Sequence, residues 1–297
     1  MKVSVITTVW NTEEWLEDNI QSFLNQTLKD SELILINDCS PDSSLVILDK
    51  YKDYPNIKVI NNEVNLGPGV SRQIGLDNSC GDYTIFVDSD DWLEPDCLEI
   101  MYKEAVEQDA DIVSCKTIQH NKYGLNKHKS VNDTFIKEDK YNFINNKLIK
   151  RYIWDKTFYS PLRFREDINT LFRCLEFSKK TIYIPYAGYN YNLRPNSLTS
   201  TPGIAGKSYL YNTLAAIENL QFVEEHGINP SPMFKRHYNL RLVRFGNIMA
   251  KQLLKDELDK YHSEFQTIQE FLDRFPLPSL CQLFENNKIY KHASKKI

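Results

Sequence analysis

The sequence predicts an α/β fold: a mostly parallel sheet flanked by helices, with a C-terminal helical extension. Two observations predict it. Over the first 120 residues, short β-branched and apolar runs alternate with amphipathic stretches long enough to be crossover helices. Such alternation implies right-handed βαβ units. Beyond "RPNSLTSTPG" the pattern turns helical, broken only by "NPSP" (229–232) and "PLP" (276–278), which sets expected domains of residues 1–203 and 204–297.

The elements follow in order. "VSVITTVW" (3–10) reads as a strand. A helix is expected in "NTEEWLEDNIQSFLNQT", with Asn11 as N-cap, Glu14 three residues on, and Leu16, Ile20, Phe23 and Leu24 on one face. "ELILIND" (32–38) is the next strand, and "DSSLVILDKYKDY" the next helix. Residues 57–63 form a strand, 68–79 a helix, and "YTIFVDSD" (83–90) a strand. "PDCLEIMYKEAVEQD" offers Pro95 as a first helical residue, and strand 111–119 closes the series. Residues 116–150 are polar and rich in Asn and Lys, and read as irregular or partly helical. "TIYIPYAGYNYNL" (181–193) is an apolar strand.

Composition bounds the class. The chain has 297 residues, 41% hydrophobic and 26% charged, as in a soluble globular protein. No window approaches the ~18 uninterrupted apolar residues of a membrane span. "MKVSVITTVWN" has too short an apolar run for a signal peptide, and six scattered cysteines without a C-x-x-C pair fit free thiols. A cytoplasmic protein is expected. The net charge of −4 is unevenly shared, because residues 235–297 hold 12 Lys and Arg against 7 Asp and Glu. An acidic main body is a poor binder of nucleic acid, and no such partner is expected.

The chemistry concentrates in "YTIFVDSDDWLEPD" (83–96), where a buried strand runs into Asp88, Asp90, Asp91, Glu94 and Asp96. In parallel sheets ligands bind at the carboxyl ends of the strands, which is where Asp38 and Asp88–Asp91 fall. The first strand is followed by "TTVWNTEEW", so neither a dinucleotide fingerprint nor a Walker A loop is present. Crowded carboxylates call for a cation, and an all-oxygen site suits Mg²⁺ or Mn²⁺. On an extended strand Asp88 and Asp90 would stand about 7 Å apart, too wide to grip one ion together. Glu94 and Asp96 fit the N-terminus of the following helix.

Together these stretches resemble the family-2 glycosyltransferases, inverting enzymes with the GT-A nucleotide-sugar fold. The resemblance rests on "VSVITTVWNTEEWLEDNIQSFLNQTLKDSELILINDCSPDSS", "NLGPGVSRQIGLDNSCGDYTIFVDSDDWLEPD", "REDINTLF" and "YNYNLRPNSLTS", in the family's order over about 200 residues. It implies a GT-A-type sheet and a nucleotide site formed by Thr8, Val9, Asp38, Arg72, Asp88 and Ser89. Asp38 would accept hydrogen bonds from the base, typically uracil, or else cap its own turn. Arg72 would lie near the nucleotide or form a surface ion pair. The resemblance also implies Asp90 as ligand of Mn²⁺ or Mg²⁺, with Asp88 towards the ribose. Asp91 is open between donor-sugar contact and structural support.

Asp167 matches the position of the family's catalytic base, with Glu166 supporting it; Asp167 is also a candidate helix cap. Arg194 and Ser197 would close on the donor diphosphate. Trp154 is a candidate sugar platform or a core residue. The chain lacks the Q-x-x-R-W signature of processive synthases.

The expected activity is transfer of a sugar from a nucleotide donor, UDP-linked, to a saccharide or lipid-linked hydroxyl in bacterial surface-glycan assembly. The rivals are a sugar-nucleotide-forming nucleotidyltransferase and a binding module without turnover. In "FKRHYNLRLVRFGNIMAKQLLK", Phe234, Tyr238, Leu242, Phe245, Met249 and Leu253 share a helical face opposite Arg244, Lys251 and Lys255. That basic amphipathic pattern fits either peripheral membrane contact or docking within the protein.

Overall fold

The computed structural model describes residues 1–121, 144–193, 204–238 and 258–274, with scattered positions between 243 and 254. The chain divides into two compact units, Met1–Ser197 and Leu198–Ile297.

The first unit is built on an eight-stranded sheet of order β3-β2-β1-β4-β7-β6-β8-β5. Its strands are β1 (Val3–Val9), β2 (Ser31–Asn37), β3 (Ile57–Asn61), β4 (Tyr83–Phe86), β5 (Trp92–Leu93), β6 (Ile112–Asn121), β7 (Lys147–Lys150) and β8 (Thr181–Leu193). The helices are α1 (Leu16–Leu24), α2 (Ser44–Asp49), α3 (Pro68–Asp77), α4 (Cys97–Glu107), α5 (Arg151–Trp154) and α6 (Glu166–Phe177). Strands β3, β2, β1 and β4 run parallel, β7 is antiparallel to β4 and β6, β6 and β8 are parallel, and β5 is antiparallel to β8.

The parallel strands read as continuous apolar runs because both faces are covered. Val5, Leu33, Leu35 and Ile85 pack on one side with Leu16, Ile20 and Phe23 of α1 and Leu98 and Met101 of α4. Ile6, Ile34, Ile36 and Phe86 pack on the other with Leu76, Ile149, Tyr159 and Leu171. Helix α3 lies so close that a Cβ on Gly75 would come within 2.4 Å of Ile6 Cγ2.

Several expectations need correction. Helix α1 starts at Leu16 with Trp15 at the cap position. Asn11 is instead in the left-handed region (φ 55) and donates its N–H to Ser40 Oγ at 2.7 Å. Helix α4 begins at Cys97 rather than Pro95, whose carbonyl accepts from Thr27 N at 2.8 Å. Strand β4 stops at Phe86, four residues short of the expected end. Strand β6 does not join the parallel series directly: β7, a four-residue strand inside the stretch read as irregular, lies between it and β4.

In the second unit, α7 (Ile204–Glu225) buries Leu210, Leu214, Ile217 and Phe222, and α9 (His262–Arg274) buries Phe265, Ile268 and Phe271. Between them, α8 (Pro232–His237) begins with Ser231 Oγ accepting from Phe234 N at 3.2 Å. It ends at Tyr238, whose backbone is extended. The expected continuous face from Phe234 onward is therefore interrupted there. Phe234 and Tyr238 are buried, and Lys251 Nζ sits 5.7 Å from the Phe265 ring centroid. Leu242, Arg244, Phe245, Met249, Leu253 and Lys255 lie outside the described residues. Among the described residues no helix is long and apolar enough to cross a membrane.

Candidate active site

The early end of β4 determines the geometry of the acidic cluster. After Phe86 the chain turns rather than extending, with Asp91 N donating to Asp88 O at 2.9 Å. Asn19 on α1 closes the turn from below: its Nδ2 donates to Asp88 O at 3.0 Å and Asp91 O at 2.8 Å. A carboxylate oxygen from each of Asp88, Asp90 and Asp91 can thereby lie within 4.8 Å of the others. The spacing of an extended strand does not apply, and the cluster is compact enough to face a single cation.

The three acids are held differently. Asp88 accepts from Arg72 Nη2 on Oδ1 at 2.8 Å and from Asn145 Nδ2 on Oδ2 at 2.7 Å. Asp91, 1% exposed, accepts from Asn192 N on Oδ1 at 2.8 Å and from the Tyr189 hydroxyl on Oδ2 at 2.5 Å. Burial, then the charges of Asp90 and Asp88, push the Asp91 carboxyl well above its usual range, against those two hydrogen bonds. A buried carboxylate with two like charges beside it is the electrostatic setting that a divalent cation relieves. The donor set is all oxygen, so it fits Mg²⁺ or Mn²⁺. Asp91 also ties the turn to β8.

Ser89 turns its hydroxyl inward, where it accepts from Thr12 Oγ1 at 2.9 Å. Val9 is fully buried, and its carbonyl accepts from Asp38 N at 2.9 Å. Thr8, half-buried, lies beside it on β1. Asp38, 3% exposed, fastens the following loop: Oδ1 accepts from Leu66 N at 2.8 Å and Asn62 Nδ2 at 2.9 Å, and Oδ2 from Gly67 N at 2.8 Å. The side chain reaches across to residues 62–67 rather than only capping its own turn.

Arg72 on α3 is the cation among the acids. Its pairing is buried, not a surface contact, with 7% exposure. Nη1 donates to Glu166 Oε1 at 2.6 Å, Nη2 to Asp88 Oδ1 at 2.8 Å, and the guanidinium lies 5.3 Å from the Tyr159 ring centroid. Burial disfavours the charge, but Tyr159, Asp88 and Glu166 outweigh it and raise its pKa.

Helix α6 begins at Glu166, with Arg165 in the left-handed region (φ 66) at the cap position. Asp167 is thus the second helical residue, not the cap. Burial, then the neighbouring Glu166 charge, pushes its carboxyl up to about 7, with Arg72 opposing. Lys147 on β7 is buried, and burial lowers it to about 8 against the charges of Cys115 and Asp167.

Two further expectations can be compared with the structure, and a third cannot. Trp154 packs edge-on to Phe86 with ring centroids 5.7 Å apart and donates Nε1–H to Thr84 Oγ1 at 2.6 Å, a core role. Glu94 accepts from Asn190 Nδ2 at 2.9 Å, and Asp96, at the cap position of α4, accepts from the Tyr186 hydroxyl rather than from a helix N–H. Arg194 and Ser197 lie outside the described residues.

Sequence reasoning missed Asn19, Asn145, Lys147, Tyr159 and Tyr189. Asn19 carried a signal, a polar residue inside the apolar face of α1. Asn145 and Lys147 carried none, standing in a stretch uniformly rich in Asn and Lys.

The comparisons agree on one relationship. The model of the family "Glycosyl transferase family 2" matches residues 4–172. Glycosyltransferase GlyA of Streptococcus pneumoniae serotype 4 is 30% identical over 223 residues, covering 67% of this chain and 31% of that protein. The putative glycosyltransferase EpsH of Bacillus subtilis is 31% identical over 215 residues, 66% of this chain and 62% of that one. The poly(ribitol-phosphate) beta-glucosyltransferase of Bacillus spizizenii is 29% identical over 301 residues, 94% of this chain and 47% of that one. The chain thus spans less than two thirds of the length of each of these relatives.

Among solved structures, S. aureus TarS 1-349 in complex with UDP-GlcNAc superposes with a TM-score of 0.66 at 19% identity, covering 93% of this chain and 82% of that one. The mannosyltransferase PcManGT from Pyrobaculum calidifontis, in complex with GDP-Man and Mn²⁺, gives 0.56 at 13% identity, covering 99% of this chain and 83% of that one. The sheet with its covering helices is the GT-A arrangement shared with TarS.

Proposed function

This chain belongs to glycosyl transferase family 2, and we propose that it transfers a sugar, with inversion, from a UDP-linked donor to the hydroxyl of a saccharide or lipid-linked acceptor. The setting we assign is bacterial surface-polysaccharide assembly, with residues 1–203 as the catalytic domain. One observation carries the reading: Arg72 joins Asp88 and Glu166, 78 positions apart in sequence, so the acidic turn and the segment bearing Asp167 belong to one ion-paired network.

Inverting transfer needs two charge-handling groups. The nucleoside diphosphate departs with negative charge, and the acceptor hydroxyl loses a proton as it attacks the anomeric carbon from the opposite face. Asp90 is assigned as ligand of Mn²⁺ or Mg²⁺, with Asp88 and Asp91 shaping the turn around it. Bound there, the ion supplies charge neutralisation for the departing diphosphate. Thr8, Val9 and Ser89 line the nucleoside side, and Asp38 faces the base while holding the loop at residues 62–67. Arg194 and Ser197 are assigned to the diphosphate.

Asp167 receives the acceptor's proton. A base is most effective when its pKa lies near the working pH, and a carboxyl raised to about 7 meets that condition. Two features speak against the nucleotidyltransferase reading: the absence of a glycine-rich loop after β1, and this second acid apart from the metal cluster.

The test is Asp167→Asn, assayed for donor turnover and for nucleotide binding. Turnover should fall by about 10²–10⁴-fold with nucleotide affinity retained. Normal turnover in that variant removes the assignment of the base.

A further inference from the structure

The end of the sheet opposite the acidic turn carries a cavity of its own. Tyr83, at the start of β4, pairs with Lys150 at the end of β7. The acidic turn follows Phe86, about 10 Å further along the strand. At the Lys150 end lies a cavity of about 520 Å³, a volume typical of small-molecule sites. Its lysines come from three segments: Lys150 ends β7, Lys156 follows α5, and Lys179 and Lys180 precede β8.

Asp111 explains why they converge. Its buried Oδ2 accepts from Lys179 N at 2.7 Å and from Lys180 N at 3.1 Å, and its Oδ1 lies 3.8 Å from Lys150 Nζ. Its own N–H donates to Lys180 O at 2.8 Å, and its carbonyl accepts from Lys150 N at 2.8 Å. One residue thus ties the turn before β8 to the end of β7.

The acids of the cavity do not balance its cations. Four lysines face two aspartates, in a chain whose net charge is −4. The Asp111 carboxylate is largely committed to backbone N–H groups. Asp109, with 92% of its side chain exposed, meets Lys150 at 3.2 Å, and an exposed pair of that kind is weak enough to be exchanged for another anion. Lys156 Nζ rests 5.1 Å from the Tyr152 ring centroid, which holds the ammonium while leaving its N–H donors to a ligand. Among the described residues the Lys179 ammonium has no ion-pair partner.

We propose that this cavity is a binding site for a small soluble phosphate ester, separate from the donor site. Convergent ammonium groups act as point charges on phosphate oxygens. The volume exceeds that of a bare phosphate, and the Tyr152 oxygen, whose hydrogen goes to Phe177 O at 3.2 Å, can accept from a hydroxyl of the ester body. Among the described residues no aliphatic side chain lines the cavity. A site built for a membrane surface would present apolar side chains to it, so the soluble ester is favoured over a lipid headgroup. The inference does not depend on the proposed sugar transfer.

The probe is glycerol 3-phosphate, titrated calorimetrically into the natural chain and into the double variant Lys156→Gln, Lys179→Gln at fixed low ionic strength. Sodium acetate is the control anion. Both lysines are exposed, so their replacement leaves the core intact. The natural chain should bind the ester saturably, with or without saturating UDP and Mg²⁺. The double variant should bind it about tenfold more weakly, the scale expected for removing two nearby charges. Its UDP-induced thermal shift should match that of the natural chain.

Equal affinity in the double variant would overturn the proposal, as would displacement of the ester by UDP or the same heat from acetate. So would lysine-dependent sedimentation with phosphatidylglycerol vesicles in a chain that does not bind glycerol 3-phosphate, because the cavity would then serve a lipid surface. Absence of any UDP shift in the natural chain counts against the donor site instead. The dependence on Lys156 and Lys179 then still decides the cavity.

Discussion

The two halves of the sheet in the first unit are built on different principles. In the β3-β2-β1-β4 half every strand is parallel, both faces are covered by helices, and the candidate acids appear where topology alone puts them, just past the carboxyl ends of β2 and β4. In the β7-β6-β8-β5 half the directions are mixed, and no single edge collects the chemistry. Its contributions arrive one by one: Asn145 ahead of β7, Tyr189 and Asn192 from β8, and Asp167 from α6. In the proposed function the parallel half is the platform for the donor. The mixed half then brings the assigned base to it and depends on long-range polar contacts to hold it there.

That contrast can be broken most severely at Asp167. If Asp167 is the base, its raised pKa should make the natural chain's donor kcat/KM climb with pH through about 7, as the carboxyl ionises. Asp167→Asn should flatten that limb. Stability gives the opposite sign: a carboxyl near 7 when folded and near 3.8 when unfolded holds its proton longer in the folded state. The folded state therefore loses stability as pH rises from about 4 to 7, and the loss stays constant above. Denaturant melts at pH 5 and pH 8 should show this fall in the natural chain and a smaller one in Asp167→Asn.

The complementary substitution is Ile34→Ala in the parallel half. Ile34 is fully buried on β2 among Ile6, Ile36 and Phe86. Its truncation should cost about 2–5 kcal/mol, read from denaturant midpoints, while turnover per folded molecule stays unchanged. A large loss of turnover without a stability loss would place the functional weight in the wrong half. The mildest test is Trp154→Phe. It keeps the ring against Phe86 and removes the hydrogen bond to Thr84, so about 1 kcal/mol of stability should be lost with no change in turnover.

The same contrast explains what could be read in advance. The parallel half was legible because doubly buried strands are uninterrupted apolar runs, and α1 shows its face at Leu16, Ile20 and Phe23. Asp38 and Asp88–Asp91 followed from strand order. The mixed half resisted. Strand β7 is only Lys147–Lys150, too short for a period, and its pairing with β4 and β6 is a long-range event.

The compact acid cluster was also out of reach, because it depends on β4 ending at Phe86 and on Asn19 gripping both ends of the turn. Arg72 was visible as a residue near the nucleotide site, but its burial and its second partner were not. Glu166 lies 94 positions away, and nothing local announces the pair.

Central to the proposed function is a dication bound at the Asp88–Asp91 turn together with a nucleoside diphosphate. The direct measurement is the thermal shift produced by UDP, GDP, CDP and dTDP, each with and without Mn²⁺, on the natural chain and on Asp90→Ala. The prediction is a Mn²⁺-dependent rise in Tm, largest with UDP, that Asp90→Ala abolishes. No rise with any of the four, or a rise that survives intact in Asp90→Ala, contradicts it.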